Sequence, residues 1–163
     1  MSDDGLHLYL NDHLAGATIG RDLARTLAEH TADTAFGAEM ARIADEIAED
    51  REELERIMEA VGAQQSTVKQ ALGWMTERLG RPAMTGGATS TAHPELGELR
   101  AFEMLSLGVE GKECLWETLR SLEATEPGLS GFDFPGLLER AQDQREALER
   151  ERLAAAGRVG ATR

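Results

Sequence analysis

Apolar residues recur along this chain at helical spacing in four long stretches. From Leu6, the positions Leu6, Leu10, His13, Ala17, Gly20, Ala24 and Leu27 alternate steps of four and three. That is the inward stripe of a helix buried on one side, and it predicts a first helix from Leu6 to about Thr31. A second stripe, Met40, Ile43, Ile47, Asp50, Leu54, Ile57 and Val61, predicts a helix from about Ala38 to Val61 that is stopped by Gly62. Asp50 holds its one polar position. The third stretch, LRAFEMLSLGVEGKECLW from Leu99 to Trp116, is apolar around most of its circumference. Such a pattern predicts an enclosed central helix, here from about Glu95 to Leu122. The fourth carries Phe134, Leu138, Ala141, Arg145, Leu148, Arg152 and Ala155 on one stripe, with Asp133 as N-cap and Pro135 in the first turn.

Short polar links, TADTAFG and EPGLSG, join the first helix to the second and the third to the fourth. Between the second and third, 32 residues from Ala63 to Pro94 are too many for a hairpin and predict a crossover. Within it, Ser66 caps a short helix bearing Val68, Leu72, Met75 and Leu79, which ends at Gly80 before Pro82. The remainder, GRPAMTGGATSTAHP, reads as irregular. One domain over 1–163 is expected, with its core over about 6–156 and loose ends at MSDDG and 157–163. Small residues in AGATIG, including Gly16 and Gly20, predict close approach of a neighbouring helix. Trp74, Met104 and Leu107 lie off the stripes and are expected under the crossover or at a homodimer interface.

Polar residues on these stripes define the candidate chemistry. Glu103 and Glu110, seven apart, share one face of the most apolar helix and are expected to be enclosed and paired. Folding the last two helices about Pro127 puts Glu110 opposite Glu146 and Glu103 opposite Leu153, within reach of Arg145 and Arg152. Folding the first two about Ala32 to Ala35 puts His13 level with Leu54, and parallel second and third helices bring Asp50 to the level of Glu110. The expected polar core layer is therefore His13, Asp50, Glu103, Glu110, Arg145 and Arg152, with Arg145 as the partner of Asp50. Charge-assisted pairing is the main reading, because guanidinium groups remain charged and repel a cation in the same layer. The alternative is a divalent metal held by His13, Asp50 and Glu110, as nitrogen and oxygen ligands allow. A pocket for a small polar ligand is a further alternative.

Composition narrows the functional classes. The chain is 41% hydrophobic, rich in Ala, Leu, Glu and Arg, and shows no strand pattern, so an all-α protein is expected. A net charge of −13 argues against nucleic acid and anionic membrane surfaces as partners. The acidic face of Glu46, Glu49, Glu52, Glu53, Glu55 and Glu59 reads as solvated surface. The single cysteine, Cys114, cannot form an internal disulfide, and among Val109, Leu115 and Trp116 it is expected to be a buried, inert thiol. Without an apolar N-terminal run, a cytoplasmic location is expected. No nucleophile elbow or phosphate-binding glycine loop is present in the sequence.

Four long helices connected as hairpin, crossover and hairpin, with polar residues among inward positions, resemble the ferritin-like superfamily of four-helix bundles. LYLNDHLAGA and LSLGVEGKECLW are similar to uncharacterised bacterial proteins of that type. The resemblance implies a bundle over roughly Leu6 to Ala156. Members with a di-iron or di-manganese centre use Glu-x-x-His pairs, but the residues three before His7, His13, His30 and His93 are Asp4, Leu10, Leu27 and Ser90. The resemblance therefore supplies no ligand set and no cofactor. The expectation is a non-enzymatic bundle acting through binding or self-association, with a metal-binding ferritin-like protein as the alternative.

Overall fold

The computed structural model describes residues 3–65 and 94–161. Among them the chain is all-helical: α1 (Asp3–Thr31), α2 (Gly37–Ala60), α3 (Pro94–Leu122), a 3-10 turn (Pro127–Leu129) and α4 (Phe134–Ala161). The short helix expected after Ser66, the irregular segment beyond it and Trp74 lie outside the described residues.

Local chemistry sets the helix ends. Asp3 and Asp4 occupy the first turn of α1, where carboxylates favour the helix dipole, and the helix starts there rather than at Leu6. Behind α2, Gly62 adopts φ +72°. The amides of Ala63 and Gly62 donate to the carbonyls of Met58 and Glu59 at 2.8 and 3.1 Å, closing the helix in a Schellman arrangement. Asp133 Oδ1 accepts from the Gly136 amide at 3.1 Å, as expected of an N-cap. At the other end α4 continues past Ala156, and Arg158 bridges Glu98 at 3.1 Å and Glu151 at 2.9 Å.

Hydrogen bonds between helices fix their directions. His7 Nε2 lies 3.3 Å from the Val61 carbonyl and Arg51 donates to Thr18 at 3.2 Å, so α1 and α2 are antiparallel. Pairs from Glu98–Arg158 to Glu113–Arg145 make α3 and α4 antiparallel as well. Arg150 bonds Glu39 while Arg140 bonds Glu49, which sets α4 antiparallel to α2. In consequence α2 and α3 run in the same direction. Each hairpin is closely packed, and the two meet through α1 against α3 and α2 against α4. Buried residues from all four helices, among them Leu10, Ile43, Phe102 and Leu148, form one apolar cluster.

Gly62 occupies left-handed backbone that a side chain with Cβ adopts only at a cost. Gly62→Ala should therefore lower the free energy of unfolding by about 1 kcal/mol with an unchanged m-value, as read by urea denaturation.

Candidate functional site

The one polar position on the α2 stripe lies at the centre of an ionic cluster. Asp50 is 2% exposed. Its Oδ2 accepts from Lys112 Nζ on α3 and its Oδ1 from Arg140 Nη2 on α4. Lys112 Nζ also donates to Gln144 Oε1 at 2.5 Å, and Gln144 Nε2 donates to Glu46 Oε2 at 3.0 Å. Arg140 Nη1 completes the group by donating to Glu49 Oε2 at 3.0 Å.

Helical periodicity delivers these side chains to one level. On α3, Lys112 continues the inward series Leu105, Val109, Lys112, Trp116 and Leu119, and its apolar stem lets the ammonium reach inward. On α4 the buried series is Leu137, Ala141, Gln144 and Leu148. Arg140 sits one turn before Gln144, on the side that meets α2. The Lys112 side chain is 14% exposed, and burial pushes its pKa below the ordinary lysine value. Asp50 opposes that fall through charge and hydrogen bonding, while Arg140 adds to it.

This geometry divides the expected polar layer. Glu103 and Glu110 are not enclosed; their side chains are 47% and 50% exposed. They do face the expected arginines, with Arg152 3.9 Å from Glu103 and Arg145 2.7 Å from Glu110. Those pairs lie on the outer side of the α3/α4 hairpin, because α3 is covered by α1 and α4 but presents a third side to solvent. Leu107 and Cys114 share that side. Leu107 is 67% exposed, and Cys114 is exposed rather than buried in the core. Arg145 serves Glu110 and Glu113, so the expected Asp50–Arg145 pair does not form.

His13 is half-buried and meets the Tyr9 ring edge-on, with ring centroids 4.5 Å apart. No hydrogen bond or ion pair joins it to Asp50 or Glu110. Burial lowers its pKa below 6.5 against the raising effect of Asp12. Among the described residues, no group of three or more His, Cys, Asp or Glu is placed to hold a metal ion, so His13, Asp50 and Glu110 do not form the alternative ligand set. The expected close approach at Gly16 and Gly20 is also absent from the described residues. A Cβ at either position, or at Gly108 and Gly111 of α3, would meet nothing within 4 Å.

Lys112, Arg140 and Gln144 are members of the cluster that sequence reasoning missed, and Glu46, expected on a solvated face, is 19% exposed and accepts from Gln144. Lys112 was available from the period of α3, since it falls where an apolar residue would continue the stripe. Between Ala141 and Leu148, either 144 or 145 continues a helical stripe, and the uncharged Gln144 is the one that turns inward. Chemically, the cluster gives each Asp50 oxygen a cationic donor. Buried polar atoms without a hydrogen-bond partner among the described residues are Ser106 Oγ, Trp116 Nε1 and Arg140 Nε.

No protein-family model, no characterised protein and no solved structure matches this chain.

Removing charge from Asp50 strands two partly buried cations. Asp50→Asn should destabilise the fold by about 3 kcal/mol, the lower end of the range for breaking a buried pair, since Lys112 and Arg140 keep some solvent contact. Glu103→Gln, at a solvent-exposed pair, should leave the urea midpoint almost unchanged. Denaturation of both variants beside the wild type checks the contrast. For His13, the lowered folded pKa means that the unfolded chain binds its proton first. The stabilising contribution is thus present above about pH 6.5 and is lost as pH falls through the folded value. Between about pH 7 and about pH 5 the melting temperature of the wild type should fall more than that of His13→Gln.

Proposed function

We propose that the chain is a ferritin-like four-helix bundle without catalytic chemistry of its own, and that it acts by association with a second copy. Support for the bundle comes from the two antiparallel hairpins and the common direction of α2 and α3, which is the connectivity of that superfamily. The observation that carries the non-catalytic reading is the state of Asp50. In metal-carrying bundles the inward carboxylates face a cation that exchanges; here they face Lys112 and Arg140, which are covalently part of the chain. Two fixed positive charges in that layer repel a divalent ion.

Association is supported by the exposed side of α3. Leu107 projects there beside Gly108 and Gly111, and Gly16 and Gly20 of α1 are likewise open. A projecting leucine next to uncovered glycines supplies both a knob and a recess on one surface. Self-complementarity of that kind suits an isologous, two-fold interface.

Light scattering at micromolar concentration should give a mass twice 17.7 kDa, and Leu107→Glu should return it to 17.7 kDa. A single-chain mass for the wild type would overturn the association. Elemental analysis of protein purified without chelator should find no stoichiometric transition metal, and finding one would restore the metal-binding alternative.

A further inference from the structure

The outer side of α3 carries two charges that the fold leaves unmatched. Arg100 stands seven residues before Leu107 and Glu117 seven after Glu110, so both border the face on which Leu107 is 67% exposed. Both are exposed, and neither forms an ion pair among the described residues. The acids between them are matched, since Glu103 and Glu110 face Arg152 and Arg145. Beside this row lies a hollow. Tyr9 donates to Thr118 at 3.3 Å across antiparallel α1 and α3, which puts Gly16 level with Gly111 and Gly20 level with Gly108. Glycines that face one another across a seam ordinarily let two helices close up, and that contact offsets their poor helix propensity. Here a Cβ on any of the four would meet nothing within 4 Å.

We propose that a second copy of this chain docks here about a two-fold axis, with Arg100 of each copy paired to Glu117 of the other and Leu107 seated in the glycine hollow. This arrangement rests on the association proposed above and specifies its register. Two separate observations give the same register. An axis that joins Arg100 to Glu117 of the second copy crosses α3 midway between them, at Gly108 and Val109. The same axis brings Leu107 level with Glu110 of the second copy. That level lies between the second copy's Gly108 and Gly111 and, across its seam, between its Gly16 and Gly20. The projecting side chain thus meets the recess at the register that the charges select. Charge also favours a second copy as the occupant. Each chain carries a net −13, so two copies attract only where a cation of one meets an anion of the other. Arg100 and Glu117 supply that match twice, once on each side of the axis.

Sedimentation equilibrium on the full chain tests the register through charge exchange. Arg100→Glu and Glu117→Arg should each weaken dimerisation by about tenfold, because a two-fold interface repeats every substitution. Carrying both in one chain should restore the wild-type dissociation constant, since the pair re-forms with its signs reversed. Gly20→Leu fills the hollow from the α1 side and should give a single-chain mass of 17.7 kDa with helicity unchanged by circular dichroism. A wild-type chain that sediments as a monomer overturns the association and this arrangement with it. A dimer that ignores both charge reversals, or is no tighter in the double variant than in the singles, overturns the arrangement alone. Should Gly20→Leu fail to fold, the charge exchange decides, since Arg100 and Glu117 are both exposed.

Discussion

A carboxylate that is 2% exposed needs cations in place of the water it has lost. Asp50 finds those cations on two other helices, and this requirement ties the hairpins into one arrangement. Lys112 reaches it only because α3 runs in the direction of α2, and Arg140 only because α4 runs the other way. Gln144 then uses its amide as an adapter, accepting from Lys112 and donating to Glu46. Three carboxylates against two cations leave the cluster with one net negative charge, a small part of the −13 of the chain.

The same side-chain chemistry has a different weight on the outside. Glu103, Glu110 and Glu113 meet Arg152 and Arg145 along the α3/α4 hairpin in a ladder that looks, pair by pair, much like the buried group. Water screens the Glu103 and Glu110 rungs, and ion pairs so exposed contribute little to stability, while Glu113 is more enclosed, with 12% of its side chain exposed. What separates the two groups is solvation, which depends on which side of α3 faces a neighbour. Half a helical turn moves a residue from the screened environment to the desolvated one.

Most of the architecture was legible in the sequence because periodicity determines it. The α2 stripe located every buried residue from Met40 to Ile57 that lies at its spacing, Asp50 included, and the hairpin levels correctly brought Glu110 to Arg145 and Glu103 to Arg152. The phase of α3 was harder to read. So many of its residues are apolar that Cys114 and the two glutamates were expected inside an enclosed helix, when with the off-stripe Leu107 they form its solvent side. Lys112 was passed over although it stands three residues after Val109 and four before Trp116, where the spacing turns it inward. For α4 the pattern admitted two phases at residues 144 and 145, and only the neighbouring helices separate them.

Gly128 carries a consequence for the length of α2. It sits in the 3-10 turn between α3 and α4, so close to the end of α2 that a Cβ on it would lie 2.6 Å from the Ala60 carbonyl. Backbone therefore meets backbone at that end of the molecule, with Val61 Cγ1 alongside at 3.1 Å from the same Cβ position. Insertion of one more residue into the last turn of α2 would drive its carbonyls into the turn and lever α3 away from α4. The contact thus sets how far the last turn of α2 can extend before it meets the α3–α4 turn.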